Sequence, residues 1–359
     1  MGDHSGMLPS CRVATAILNW NGLAHLQRFL PSVIGHNAPE DRVVLIDNGS
    51  DDGSVAWVGE HHPDVVVIAL DENLGFAGGY NAGLAQLEQV LEAGWYLLLN
   101  SDVEVTPGWV DKLVGACQRH GWSAAQPKIR SVDRPAEFEY AGAAGGYMDR
   151  FGFMFCAGRI FDRCEVDEGQ YDEDRAVFWA SGAALLVESE AWRETEGLDA
   201  DFFAHMEEID LCWRLRNRGR TVGVATGSHV FHLGGGTLGQ SSPFKAELNF
   251  RNNLFLLLKN DHRPGIGRRI FTRKLLDGIA AFRFLTEGKP AFFRAVVKAH
   301  RAFGAEKRNM LAKRRSEMAS VPAQASAQAL TGRYAGSIIV DYYFRGRRRW
   351  SDLPQERFL

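Results

Sequence analysis

The sequence predicts an α/β protein, a mostly parallel sheet flanked by helices, followed by a basic helical appendage. Three observations predict it. Four apolar, β-leaning runs, residues 13–18, 42–46, 65–70 and 96–99, alternate with helical patterns, which is how βαβ units read in a sequence. Each run ends in polar groups or glycines, and four such endings in succession place them on one edge of the sheet, where open α/β sheets bind ligands. Charge is lopsided: 18 Lys and Arg stand against 36 Asp and Glu through residue 250, then 17 against 4 over residues 251–315.

The first run leads into Asn19-Trp20-Asn21-Gly22 and a helix near residues 23–34. The second ends in Asp47-Asn48-Gly49-Ser50, and the third in Asp71-Glu72-Asn73-Leu74-Gly75. Residues 75–83 are rich in glycine but lack both G-x-G-x-x-G and the P-loop pattern. Their glycines serve either a close approach of backbone to ligand or close packing of a helix on the sheet; a helical pattern covers 82–93. The fourth run ends in Asn100-Ser101-Asp102. A carboxylate at that edge is well placed to hold a hard cation that a nucleotide diphosphate shares.

A helix is predicted over 109–119. Residues 130–175 lose periodicity and read as an insert. Residues 178–187 return to a small-residue turn and strand. Trp179 beside it either faces a ligand or belongs to the core. The next stretch, Phe202-Phe203-Ala204-His205-Met206-Glu207-Glu208-Ile209-Asp210, opens a helix with three carboxylates in its first turn. Helix-dipole placement explains acids there without any chemistry. The apolar lead-in, with like-charge neighbours, would instead raise one carboxyl into the range of a general base. A strand over 221–225 leads to His229 and to His232, which precedes Gly234-Gly235-Gly236; His232 is the stronger metal or diphosphate candidate.

Taken in order, Leu18-Asn19-Trp20-Asn21, Ile46-Asp47-Asn48-Gly49-Ser50, Glu72-Asn73-Leu74-Gly75-Phe76-Ala77-Gly78-Gly79 and Leu99-Asn100-Ser101-Asp102 resemble glycosyltransferase family 2, in its bacterial rhamnosyltransferase-like branch. The resemblance implies a GT-A fold over residues 11–240 and an inverting transfer of a sugar from a nucleoside diphosphate to a glycan or lipid-linked glycan hydroxyl. Rhamnose from dTDP-rhamnose is the implied donor. It places Asn19, Trp20, Asp47, Asn73, Gly75, Gly79, Asn100, Ser101 and Asp102 around the donor. Asn100-Ser101-Asp102 stands where the family has its DXD motif, with Asn at the first position. Asp102 with His232 would hold Mg²⁺ or Mn²⁺. Trp179, Ser181 and Gly182 would line the acceptor pocket. Glu208 falls on the base position, where the family usually has Asp, and Glu207 and Asp210 stay open as alternatives. A nucleotidyltransferase would need a basic phosphate-binding loop after the first strand, and Asn19–Gly22 is uncharged. A non-catalytic scaffold of a glycan assembly machinery is the other alternative.

The basic region, residues 241–317, interleaves apolar residues with Arg and Lys at helical spacing. It reads as a surface for an anionic membrane or as a helical hairpin neutralised against the acidic body. Residues 318–333 read as a linker, and 334–359 as an aromatic and basic tail suited to an interface. The acidic body disfavours nucleic acid. Five cysteines without a C-x-x-C pair, no signal pattern at Met1–Ser10 and no apolar run near 20 residues predict a cytoplasmic protein, peripheral on the inner face of the membrane.

Overall fold

The computed structural model describes residues 8–234, 242–322 and 330–359. Strands β1 (Ser10–Asn19), β2 (Arg42–Asn48), β3 (Val66–Leu70) and β4 (Glu92–Asn100) lie parallel in the order β3-β2-β1-β4, linked through helices α1 (Leu23–Gly35), α2 (Ser54–His61) and α3 (Gly75–Leu87). The apolar runs of β1, β2 and β4 are buried on both faces, Val13, Val44 and Leu97 through Leu99 among them, as crossover helices on the sheet require, while β3 at the sheet's edge is only partly covered. Register levels the strand ends: Asn19 stands beside Asp47, and Leu18 beside Asn100. The polar endings therefore share one edge.

The sheet continues through β5 (Val103–Val105), α4 (Trp109–His120) and β6 (Ala124–Ser131). Four short strands follow, β7 (Gly146–Asp149), β8 (Met154–Cys156), β9 (Arg159–Ile160) and β10 (Arg163–Cys164). Then come β11 (Arg175–Ala176), β12 (Ala184–Glu188), α5 (Ser189–Glu194), α6 (Glu207–Asn217) and β13 (Val222–His232). β12 inserts antiparallel between β4 and β6, whereas β13 runs parallel to β6 and ends against β5, His232 opposite Val103. Parallel pairing thus governs one half of the sheet and is mixed in the other.

Two expectations change. The glycine-rich stretch forms the first half of α3, which starts at Gly75 and not near 82. A Cβ on Gly79 would stand 2.8 Å from Leu18 and one on Gly83 2.4 Å from Ile46. These glycines let the helix sit that close to the sheet. Residues 130–175 build a second sheet in the order β10-β9-β8-β7-β14, completed by β14 (Arg333–Tyr334) from the tail. Trp350, expected at an interface, packs 5.4 Å from Tyr147 and 5.2 Å from Phe358 between ring centroids.

The basic region forms α7 (Pro243–Asn260), α8 (Ile266–Thr286) and α9 (Pro290–Ala319). Its inner face meets the acidic body as the hairpin reading anticipates. Lys259 Nζ donates to Asp199 Oδ2 at 2.6 Å and Asp210 Oδ2 at 2.9 Å, all three side chains buried. Lys313 pairs with Asp199, and Arg218 with Glu317. Residues 318 and 319, assigned to a linker, end α9, and Arg333, assigned to it as well, belongs to β14; about half of the remaining linker lies outside the described residues. Removing one partner of a buried pair strands the opposite charge. Lys259→Met is therefore expected to lower stability by about 3 kcal/mol in urea unfolding, and an unchanged midpoint would refute the role given to this lysine.

Candidate active site

The edge at β1, β2 and β4 is built from side chains that hold one another. Asn19 Nδ2 donates to Asp47 Oδ1 at 3.0 Å, and Asp47 Oδ2 accepts from Ser50 N at 2.9 Å. Both residues are buried, while Trp20, next in the chain, is 48% exposed at the rim. Asn73 turns inward: its Oδ1 accepts from Gly75 N and from Asn48 Nδ2, both at 2.9 Å, fixing the start of α3. Gly75 adopts φ +74°, and a Cβ there would stand 3.3 Å from Phe203 O. Of the predicted donor residues, Gly79 faces the sheet and acts through packing.

At the end of β4, Asp102 meets His232 from β13. Nε2 of His232 lies 3.2 Å from Asp102 Oδ1 and 3.3 Å from the Asn100 amide, and Nδ1 lies 3.2 Å from Glu139 Oε2. Burial disfavours a charged imidazole, but the two carboxylates overcome it and raise the His232 pKa to about 10. Asp102, also penalised by burial, is held below its ordinary value by His232. Among the described residues no three His, Cys, Asp or Glu side chains form a ready metal cage. Asp102 and His232 nonetheless fit a shared ion once the imidazolium releases its Nε2 proton, because histidine ligates only through a neutral ring nitrogen. Adjacent ligands each ~2.1 Å from Mg²⁺ stand about 3 Å apart, close to the observed spacing, and a carboxylate behind the far nitrogen is the usual support of a ligating histidine. Ser101 borders the same turn: its Oγ would lie 3.7 Å from a Cβ on Gly22. His229, further back on β13, is half-buried near Lys128 and Arg130. Gly235 and Gly236 lie outside the described residues.

The acidic turn of α6 resolves into three environments. Asp210 is fully buried. It accepts from Arg214 Nε, Lys259 Nζ and Asn260 Nδ2 at 2.7, 2.9 and 2.7 Å. Burial opposes its ionisation, yet Lys259 and Arg214 hold its pKa below the ordinary value. Asp210 is a structural anion and leaves the set of candidate bases. Glu207 is also buried, with Oε2 unpartnered among the described residues. Burial first, then Glu208 and Asp210, push its pKa well above the ordinary carboxyl value. Glu208 is half-buried, and burial raises its pKa to about 7 against the pull of main-chain N–H groups. That is the value a general base needs.

Glu208 and the Asp102 side belong to one site. A Cβ on Gly182 would stand 3.4 Å from Glu208 Cβ and 3.6 Å from Phe76, so this glycine keeps the flank of Glu208 open. Its neighbour Ala183 accepts the Asn100 N–H at 3.0 Å. The other acceptor candidates turn away. Trp179 is buried with its ring over Gly146, and its Nε1 donates to Tyr147 O at 3.1 Å, so it joins the two sheets instead of meeting a sugar. Ser181 is buried, its N–H given to Gln126 Oε1 at 2.9 Å and its Oγ accepting from Ala183 N at 3.2 Å.

Two contributors escape sequence reasoning. Glu139 sits in an aperiodic stretch with no local signal. Asn252 lies on α7, fully buried, and its Nδ2 reaches Phe202 O, Ala204 O and His205 O at 2.9, 2.9 and 2.7 Å. It clamps a loop in which Phe203, His205 and Met206 all have φ between +65° and +73°. Side chains rarely adopt that region, at about 1–3 kcal/mol each, and here it aims the first turn of α6.

Comparison with known proteins agrees with this geometry. The model of glycosyl transferase family 2 matches residues 16–145. The N-acetylglucosaminyl-diphospho-decaprenol L-rhamnosyltransferase of Mycobacterium tuberculosis is 31% identical over 221 residues, covering 58% of this chain and 71% of that protein. A low-salt glycan biosynthesis hexosyltransferase of Haloferax volcanii is 24% identical over 263 residues, covering 70% and 81%. The fold is also similar to that of a mannosyltransferase from Pyrobaculum calidifontis solved in complex with GDP-mannose and Mn²⁺. The TM-score is 0.50 at 12% identity, over 90% of this chain and 88% of that one. The fold, the relatives and the edge-borne site together place the chain in glycosyltransferase family 2, as a GT-A enzyme that uses nucleotide sugars.

Proposed function

We propose that this enzyme moves rhamnose from dTDP-rhamnose to a hydroxyl of a lipid-linked glycan, with inversion at the anomeric carbon, at the inner face of the cell membrane. The similarity to a rhamnosyltransferase whose name carries a diphospho-decaprenol acceptor supports both substrates. The observation that carries the chemistry is the separation of three neighbouring carboxylates into different surroundings: Asp210 buried and fully paired, Glu207 buried with an oxygen unpartnered among the described residues, and Glu208 half-buried with its pKa raised to about 7. Such separation is how one site assigns acid and base roles.

Glu208 removes the acceptor hydroxyl's proton as that oxygen attacks the anomeric carbon from the open side beside Gly182. A single displacement inverts the centre. Trp20 offers an exposed ring to the nucleoside base, with the Asn19–Asp47 pair behind it. Asp102 and His232 would hold Mg²⁺ or Mn²⁺ together with the donor diphosphate, and such an ion neutralises the charge that grows on the leaving group. The Asn100 amide lies against His232 Nε2 at 3.3 Å, beside that position. No helix among the described residues is long and apolar enough to cross a membrane, and a peripheral association is compatible with that.

Glu208→Gln is expected to lower kcat by about 10²–10⁴ while dTDP affinity stays unchanged; equal losses in both would remove Glu208 from the base role. The base must be ionised to act, and its pKa is raised to about 7. So kcat/KM should climb with pH below 7 and level off above it, and a profile flat from pH 5.5 to 8, in the range where about one unit either side of the pKa matters, would contradict it. Calorimetric titration of dTDP with and without Mn²⁺ tests the other half of the site. Metal-dependent binding is expected, and Asp102→Ala should abolish the dependence. Binding indifferent to metal in both proteins would withdraw the assignment.

A further inference from the structure

We infer that the outward face of α8, continued by the turn at 340–344, is a docking surface for an anionic phospholipid bilayer. It deepens the proposed function, since it rests on that reading only for the acceptor being a lipid. The surface itself is read from an inversion of the usual helix pattern. A helix on a protein surface turns its apolar stripe inward and its charges outward. The middle of α8 does the opposite, while Ile266, Ile270 and Ala281 still pack inward. Arg273 and Asp277 are buried, and Arg273 donates to Asp277 Oδ1 at 2.8 Å and to Gly152 O at 3.0 Å. Asp277 also meets His300 Nε2 at 3.2 Å. On the other side Phe271, Leu275, Ile279, Phe282 and Leu285 are 64, 56, 68, 66 and 40% exposed. Steps of three and four residues put all five on one face.

The stripe extends beyond the helix. Arg283 Nη1 donates to Tyr343 Oη at 3.2 Å, which brings the 340–344 turn alongside, where Phe344 is 81% exposed. Large contiguous apolar patches of this kind on a soluble domain mark a docking site. The charges around it choose the partner. Arg268 and Arg283 project from the exposed half of α8, and Arg345, Arg348 and Arg349 follow the turn, all exposed. The acids nearby are committed: Asp277 and Asp341 are buried in ion pairs, and Glu287 is shared by Arg283 and Lys289. An apolar stripe edged by cations fits the headgroup and acyl boundary of an anionic leaflet, with the helix lying in its plane. A second copy of this chain is the poorer occupant, because two such faces would set arginines against arginines.

The test uses the full chain and sucrose-loaded vesicles of phosphatidylcholine, with or without about one third phosphatidylglycerol. The protein should sediment with the anionic vesicles and far less with the neutral ones. Phe271→Ser with Phe282→Ser, or Phe344→Ser alone, should weaken that partition at least about tenfold, and Arg268→Glu with Arg283→Glu should erase the preference for anionic lipid. Partition that these variants leave unchanged overturns the inference. So does a wild-type protein that ignores vesicles but dimerises by light scattering through the same side chains. Far-UV circular dichroism and urea midpoints equal to wild type show that the variants remain folded. Calorimetry with dTDP and Mn²⁺, run on the same proteins without vesicles, separates the two ideas: a protein that docks but binds no nucleotide keeps the surface and loses the donor assignment.

Discussion

The acidic first turn of α6 is the constraint on which the rest of the molecule depends. Three carboxylates within four positions cannot all stay ionised out of water. The chain resolves the conflict by bringing Lys259 to Asp210 from 49 residues downstream and adding Arg214 and Asn260. Asp210 is thereby fully paired, Glu207 is buried beside it with its pKa pushed up, and Glu208 is left at the partly open edge. The surroundings of all three carboxylates follow from where one lysine is delivered.

This makes the C-terminal helices part of the catalytic architecture. α7 supplies Lys259 to the acidic turn and Asn252 to the carbonyls of the loop before it. The loop's left-handed residues are tolerated because a buried amide satisfies three carbonyls that the reversal leaves pointing one way. α9 then covers α7, with Phe303 and Met310 buried beneath it and Lys313 closing on Asp199. A truncation after β13 would therefore remove Lys259 and Asn260 from Asp210, leaving it Arg214, together with the clamp on its loop.

What the sequence made legible follows from range. The edge at β1, β2 and β4 could be read because each apolar run and its polar ending are contiguous, and parallel register does the rest. The start of α3 could not, because a glycine-rich segment has poor helix propensity and becomes helical only when Leu18 and Ile46 demand close approach. The second sheet was hidden in strands of two to four residues, too short for any period to register. Glu208 was separable from Asp210 only by partners distant in sequence. Trp179 beside a strand carried no mark of whether it faced a sugar or a glycine, and Gly146 decided for the core. Glu139 had no local signature at all, since its role exists only once His232 arrives from β13.

Net charge of a segment is also a poor guide to the charge of a surface. Residues 251–315 hold 17 Lys and Arg against 4 Asp and Glu, which reads as a uniformly basic arm. In the fold several of these cations turn inward: Lys259 and Lys313 to Asp199, Arg269 and Arg263 to Asp261, Arg273 to Asp277. Each inward cation is matched by an acid from the body or from the arm itself, so the acidic body and the basic arm cancel across their contact. Apolar side chains that an ordinary amphipathic helix would bury against the body are displaced outward on α8, because its inner face is taken by the Arg273–Asp277 pair. The polarity of the arm is thus inverted by its own ion pairs. Its outer face is set by what those pairs exclude, apolar along the helix and cationic at the margins.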